Sequence, residues 1–134
     1  MNIIQGKVKS GTTNELLKRF LEDTNSATFI SDEIGIEEIL KKSQYLQSNG
    51  VDIVDRESKQ IKTSVFTNCN SDYYKTVQDL NTKSIYLDIH ISRDFKQTFI
   101  NFCVDMEKEY GLNIAIIEQL SADSSIKGIN VLEC

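Results

Sequence analysis

The chain has 134 residues, of which 40% are hydrophobic and 26% charged, and its formal net charge at pH 7 is −5. This length suits one domain with one hydrophobic core, and the average composition excludes a disordered chain or a coiled coil. The acidic balance argues against a broad electrostatic footprint on nucleic acid, so we expect direct nucleic-acid binding to be weak or absent.

The apolar runs and the cysteines indicate the cellular location of the protein. The longest apolar runs are only a few residues and there is no signal-peptide pattern, which predicts a cytoplasmic protein that does not enter a membrane. The three cysteines, Cys69, Cys103 and Cys134, form no C-x-x-C pair. Their odd number favours a reducing compartment over a disulfide framework, and we expect all three to be structural.

The first predicted elements alternate between strand and helix. An apolar strand covers Asn2 to Gln5, and a helix runs from Thr12 to about Asp23, because leucines and a phenylalanine recur there at helical spacing. Ala27 to Ser31 returns to a strand pattern. A second helix starts near Ile36 and ends at Asn49-Gly50, a pair that tolerates positive φ.

The middle of the chain gives weaker signals. "VDIV" (51–54) and "IKTSVF" (61–66) surround a polar stretch and predict a β-hairpin. Ser71 then predicts the cap of a short helix that reaches Leu80.

The later elements are clearer. "SIYLDIHI" (84–91) has the β-branched and aromatic content of a strand, and the longest helix begins after Ser92 and ends at Gly111. Its apolar face consists of Phe95, Phe99, Phe102, Cys103, Met106 and Tyr110. "NIAIIEQL" (113–120) reads as a strand buried on both faces, and "GINVLE" (128–133) as an edge strand.

Strands separated by single amphipathic helices predict an α/β fold. We expect one domain over residues 1–134, with a mostly parallel sheet, right-handed crossovers and helices on both faces. In such sheets, ligands bind beyond the carboxyl ends of the strands. The polar motifs that follow the strands are therefore the candidate functional residues.

The loop after the first strand has the spacing G-x-x-x-x-G-K-[ST] of a phosphate-binding loop, with Thr12 in the position of the lysine. The glycines of such a loop allow backbone N–H groups to surround a phosphate, and its hydroxyl residue, here Thr13, binds Mg²⁺. The candidate nucleotide-binding residues are Gly6, Lys7, Lys9, Ser10, Gly11, Thr12 and Thr13.

A second interpretation of this loop needs no ligand. Thr12 and Glu15 have the spacing of a capping box, in which each side chain satisfies the backbone N–H of the other residue. Glu15 would then place its own negative charge at the positive end of the helix and repel a phosphate. The alternative is retained nucleotide binding in which Lys7 or Lys9 replaces the missing lysine.

Three other polar residues lie at or near the ends of predicted strands. Asp88 is placed to hold Mg²⁺ through water, Glu33 to act as general base on an attacking water, and Gln119 to sense a γ-phosphate. Each also has an ordinary structural interpretation: an acid at a strand end, an acid favoured by a helix N-terminus, and a surface amide.

In combination, these features resemble the RecA-like core shared by RecA-type recombinases and DnaB-type replicative helicases. "NIIQGKVKSGTTNELLKRF" is similar to their Walker A strand, loop and helix, and "ATFISDEIG" to the strand with the catalytic glutamate. "SIYLDIHIS" resembles Walker B, and "EKEYGLNIAIIEQLS" the helix and strand that lead to a sensor glutamine. The likeness covers most of the chain in the same order, except residues 51 to 80.

The resemblance implies a RecA-like P-loop NTPase fold, with ATP and Mg²⁺ as cofactors if the loop is functional. It implies catalytic roles for Glu33 and Gln119 and metal contacts for Thr13 and Asp88. The chain departs from the family because it lacks the Walker A lysine, is much shorter than a working core, and lacks the helicase's N-terminal domain and identifiable DNA-binding loops. Without the lysine, hydrolysis should suffer most.

These departures favour a catalytically impaired protein without a bound cofactor, which acts by binding a related helicase, recombinase or ATPase, or by self-association. The alternative is an enzyme that binds or hydrolyses ATP in DNA replication or recombination. A third possibility is a parallel-sheet module that merely converged on the same pattern.

Overall fold

The computed structural model describes residues 2–6, 12–31, 35–63, 81–88, 93–119 and 130–133. The strands are β1 (Asn2–Gly6), β2 (Ala27–Ser31), β3 (Lys59–Thr63), β4 (Ser84–Asp88), β5 (Asn113–Gln119) and β6 (Asn130–Glu133). The helices are α1 (Thr12–Glu22), α2 (Ile36–Ser48) and α3 (Arg93–Tyr110), and a 3₁₀ turn at Arg56–Ser58 precedes β3. The predicted alternation of strands and helices is confirmed within these ranges.

The strands form a six-stranded sheet in the order β3-β2-β4-β5-β1-β6. Every neighbouring pair is parallel. The protein is therefore α/β, as the sequence predicts, and β6 lies at an edge. The carboxyl ends of all six strands meet at one edge of the sheet, which is where ligands bind in this class.

Helices cover both faces of the sheet, because the connections run in opposite directions. The crossovers through α1 and α2 lead toward β3, whereas the crossover through α3 leads from β4 back toward β1. Right-handed connections of opposite direction place their helices on opposite faces. Two separate clusters of buried apolar side chains match this arrangement.

The α1 face is built from the apolar stripe of that helix. Leu16, Leu17, Phe20 and Leu21 are buried with Ala27, Phe29, Ile39 and Ala115. The ring of Phe20 meets those of Phe29 and Tyr86 edge to face, with centroids 5.5 and 5.8 Å apart. Such pairs add to the burial energy and orient the rings, so they set how α1 lies on β2 and β4.

The α3 face repeats this arrangement on the other side of the sheet. Phe99, Ile100, Cys103 and Met106 are buried against Ile3, Ile30, Ile85, Leu87, Ile114 and Ile116. The apolar face predicted for this helix is confirmed at Phe99, Phe102, Cys103 and Met106, whereas Tyr110 in the last turn is exposed. None of the described helices is both long and apolar enough to cross a bilayer.

The predicted hairpin at 51–66 is wrong. Residues 51–54 form no strand, and β3 pairs in parallel with β2. Val51 and Ile53 instead pack against the α1 cluster, and the backbone N–H of Val54 donates to the Leu21 carbonyl at 2.8 Å. Packing against the α1 cluster buries the side chains of this apolar run, so the run needs no partner strand. The predicted helix at 71–80 lies outside the described residues.

Two helix ends follow the expected glycine pattern. Gly50 has a φ of 96° after α2, and Gly111 has a φ of 65° after α3. Glycine adopts this left-handed region without the steric cost that a Cβ would add. The Asn49 side-chain amide also donates to the Tyr45 carbonyl at 2.7 Å, which satisfies a backbone acceptor in the last turn.

Candidate functional site

The sheet gathers several of the predicted site residues at its carboxyl edge. Gly6 and Gln119 are direct register partners at the ends of β1 and β5. Asp88 ends β4, where its register partner on β2 is Ser31. The backbone thus brings the glycine of the predicted loop, the predicted sensor glutamine and the predicted magnesium ligand to the same edge.

The first turn of α1 reaches this edge at Asp88. The Thr13 hydroxyl Oγ1 donates a hydrogen bond of 3.3 Å to Asp88 Oδ2. Asp88 lies on the α1 face of β4, because side chains alternate along a strand and Tyr86 packs in the α1 cluster. The two residues predicted to hold Mg²⁺ are therefore in direct contact.

The chemistry of this pair fits a magnesium ion. Mg²⁺ takes oxygen ligands and usually keeps several water molecules, so the Thr13 hydroxyl would contact the ion directly and the Asp88 carboxylate would contact it through water. The hydrogen bond of 3.3 Å keeps the two side chains together for these roles. In P-loop NTPases, a loop hydroxyl and a strand-end aspartate hold the Mg²⁺ of the nucleotide.

Ser31 is a neighbour of this pair that the sequence reasoning missed. It is 2% exposed, and it ends β2 beside Asp88. A Cβ on Gly35, which precedes α2, would lie 3.1 Å from Ser31 Oγ. The close approach of Gly35 to a buried hydroxyl was not visible in the sequence, although both residues belong to the "ATFISDEIG" motif.

Glu33 lies between these two residues and outside the described part of the chain, as do Lys7, Lys9, Ser10 and Gly11. The strand that leads to Glu33 is nevertheless the neighbour of the strand that ends in Asp88. For Gly6, Thr12 and Gln119 the backbone position is described. Their proposed ligand contacts remain predictions.

The structure shows a partner of Glu15 that the capping box does not include. Its Oε1 accepts a hydrogen bond of 2.9 Å from Arg19 Nε, one helical turn further along α1. The Arg19 guanidinium compensates part of the carboxylate charge. The capping contacts between Glu15 and Thr12 stay a prediction, because the side chain of Thr12 is outside the described part of the structure.

The other end of α1 is attached to the same strand. The Tyr86 hydroxyl donates to Asp23 Oδ2 at 2.6 Å and lies 3.3 Å from the Arg19 carbonyl oxygen. Burial raises the pKa of Tyr86, and the hydrogen bond to Asp23 raises it further. The alternation of β4 places Tyr86 on the face of Asp88, but nothing in the sequence indicated its partner.

The Asp23 carboxylate remains ionised at this contact. Partial burial opposes its charge, but hydrogen bonds from the Tyr86 hydroxyl and the Asn25 backbone N–H outweigh that effect, with a contribution from Lys59. The pKa of Asp23 consequently lies below its ordinary value. A charged acceptor strengthens the bond from Tyr86.

Within the described ranges, no three His, Cys, Asp or Glu side chains converge in a group that could hold a metal. An ion at Thr13 and Asp88 would take its other ligands from water and from a bound phosphate, as Mg²⁺ usually does.

A scan of the chain against protein-family models found no match, and searches for similar curated proteins and similar solved structures found none either.

Proposed function

We propose that the chain is a RecA-like P-loop domain that keeps a magnesium–nucleotide cradle but hydrolyses ATP poorly, and that it acts as a binding or regulatory partner of a nucleic-acid-processing ATPase. The hydrogen bond between Thr13 and Asp88 is the observation that carries this proposal. It joins the two motif positions that the RecA-like resemblance assigns to the metal, although they lie far apart in the sequence.

The strand order supports the RecA-like part of the proposal. The four strands that carry the resemblance are adjacent, in the order β2-β4-β5-β1. β3, which belongs to the poorly matching segment, lies outside them at one edge. A chance likeness of four separate motifs would not require their strands to be neighbours.

The missing lysine supports impaired turnover. A lysine in a phosphate-binding loop contacts the β- and γ-phosphates in both the ground state and the transition state. Loss of one such contact costs about 10²- to 10³-fold in kcat. Thr12 has no charge to replace it, so we expect weak, magnesium-dependent ATP binding and slow or absent hydrolysis.

The partner part of the proposal rests on charge and on the family. The acidic chain offers little for direct nucleic-acid binding. RecA-like subunits assemble with one another, and an impaired copy can occupy the place of an active neighbour. The partner would then be a related helicase, recombinase or ATPase, or a second copy of this chain.

A second candidate function is an active ATPase of the RecA/DnaB type. The pairing of Glu15 with Arg19 favours it, because Arg19 compensates part of the Glu15 charge that was expected to repel phosphate. In this alternative Lys7 or Lys9 supplies the cation, Thr13 and Asp88 hold Mg²⁺, Glu33 is the general base and Gln119 the sensor.

Calorimetric titration with ATP, with and without Mg²⁺, tests the cradle. We expect binding that depends on Mg²⁺ and that is lost in Thr13→Val and Asp88→Asn but retained in Tyr45→Phe, an exposed control on α2. If ATP does not bind the wild-type protein, the cradle is refuted and only the partner role is left.

Phosphate release, with and without single-stranded DNA, separates the two functions. Slow release that Glu33→Gln does not change supports the impaired protein. Release at about 1 s⁻¹ or faster that Glu33→Gln abolishes supports the active enzyme. Affinity capture from the native host, followed by identification of an associated ATPase, tests the partner, and capture of no nucleic-acid-processing protein contradicts it.

A further inference from the structure

Helix α1 is attached to strand β4 at both of its ends. Near the amino end, Thr13 donates to Asp88. Just beyond the carboxyl end, Asp23 accepts from Tyr86, whose hydroxyl also lies against the Arg19 carbonyl. The helix therefore runs antiparallel to the strand, and each end meets a different side chain of the same strand face.

The two attachments control the direction of the helix axis. The eleven residues of α1 span about 16 Å at about 1.5 Å per residue. A single attachment at Thr13 would allow the helix to pivot or slide along the sheet. A second one near the far end removes that freedom and so sets where the first turn lies relative to Asp88.

The attachment at Tyr86 is itself held firmly. Asp23 Oδ2 accepts from Tyr86 at 2.6 Å, and Asp23 Oδ1 accepts from the Asn25 backbone N–H at 2.8 Å. The Tyr86 ring packs edge to face on Phe20 of α1. The hydroxyl thus works from a fixed ring onto a carboxylate that is held on both of its oxygens.

We infer that Tyr86 is a positioning residue, whose hydroxyl holds α1 in the register that brings Thr13 to Asp88. This inference deepens the proposed function, because it makes magnesium-dependent nucleotide binding depend on a contact at the opposite end of the helix. The described partners of the Tyr86 side chain are Asp23, the Arg19 carbonyl and the Phe20 ring.

The test compares Tyr86→Phe with Tyr45→Phe. Both remove one hydroxyl from a tyrosine, but Tyr45 is 66% exposed on α2. NMR signals of the Thr13 methyl group and the Asp88 carboxyl carbon report on the pair without any ligand. We expect both signals to shift in Tyr86→Phe and to stay in place in Tyr45→Phe.

A second readout is the dependence of ATP affinity on Mg²⁺. We expect Tyr86→Phe to weaken ATP binding in the presence of Mg²⁺ about fivefold, at the low end of coupling between separate sites, and to leave binding in EDTA unchanged. Asp23→Asn keeps the ring and an acceptor for the hydroxyl, so it should shift the same signals by a smaller amount.

The outcomes separate this inference from the proposed function. If wild-type protein binds no ATP, the proposed function fails, and the ligand-free NMR signals still decide the role of Tyr86. If Tyr86→Phe only lowers thermal stability while the Thr13 and Asp88 signals stay in place, the inference is overturned. Should Tyr86→Phe fail to fold, Asp23→Asn replaces it in the test: a shift of the Thr13 and Asp88 signals supports the inference, and unchanged signals overturn it.

Discussion

The hydroxyl of Thr13 and the carboxylate of Asp88 are hydrogen-bonded across a separation of 75 residues in the chain. One belongs to the first turn of α1 and the other to the last position of β4. Their contact therefore depends on how the helix lies on the sheet, and it also places the two side chains of the candidate site together at the carboxyl edge of the sheet.

A double-mutant cycle measures this contact. In the absence of ligand, Thr13→Val and Asp88→Asn should show a coupling of about 0.5–1.5 kcal/mol in the free energy of unfolding by urea, as expected for one partly buried hydrogen bond. Thr13→Ser keeps the hydroxyl and should retain the coupling to Asp88→Asn. Additive effects in the first cycle would show that the bond does not contribute in solution.

Restoring the lysine tests whether the turn still binds phosphate. Thr12→Lys places an ammonium group at the Walker A position, where a charge-assisted contact is worth about 1.5–3 kcal/mol. We expect ATP to bind about tenfold more tightly or better, measured by calorimetry with Mg²⁺. Thr12→Met, of similar length without charge, is the control, and equal affinities for the two variants would contradict a phosphate cradle.

The pairing of Glu15 with Arg19 makes a prediction about charge. Arg19→Met leaves the carboxylate uncompensated in the first turn of α1 and should weaken ATP binding, whereas Glu15→Gln with Arg19→Met should restore it to within about twofold of wild type. Fluorescent nucleotide titration at low salt measures both. Equal weakening in the single and double variants would show that the Glu15 charge has no influence on the site.

The Tyr86–Asp23 contact predicts how stability depends on pH. The pKa of Asp23 is lowered from 3.8, so its contribution is present above about pH 4 and is lost as pH falls through its folded value. The pKa of Tyr86 is raised from 10.0, so its contribution is present below about pH 10 and is lost at higher pH.

Urea unfolding from pH 3 to pH 11 checks both limbs. Asp23→Asn should flatten the acid limb, and Tyr86→Phe the alkaline one, relative to wild type. Tyr45→Phe serves as the exposed control and should leave the alkaline limb intact. An alkaline limb that is the same in wild type and Tyr86→Phe would contradict the assignment.

Cys103 should be inert in the folded protein. It is 1% exposed, and burial, together with the nearby charge of Glu107, raises the pKa of its thiol. In a Cys69→Ser/Cys134→Ser variant, we expect a thiol reagent to modify Cys103 only at the rate of global unfolding. Rapid modification in buffer without denaturant would show that the α3 face opens locally.

Much of the architecture could be predicted from periodicity. The apolar stripes of α1 and α3 fit only the helical period, and the apolar run of β5 is too short for a helix and has the β-branched content of a strand. The segment at Val51 and Ile53 could not be predicted in this way, since an apolar run can be buried by a neighbouring helix as well as by a partner strand. Local pattern carries no information about which of these occurs.

The pairing of Thr13 with Asp88 in the candidate site could be predicted from the sequence, but the surroundings of the pair could be predicted less well. Thr13 and Asp88 follow from motif spacing, because each stands at a fixed distance from a strand. Glu15 has two partners within reach, Thr12 and Arg19, and the spacing alone does not choose between them. Tyr86 meets Asp23 across 63 residues, a contact that depends on how α1 crosses the sheet.

The position of β1 in the sheet has a consequence for synthesis of the protein. Among the described strands, β1 pairs only with β5 and β6, which come last in the chain. A nascent chain must therefore carry its first, apolar strand without partners while nearly all other elements leave the ribosome. Insertion of β1 between β5 and β6 becomes a late folding step, and release of the chain before that step would expose an apolar segment to aggregation or to chaperones.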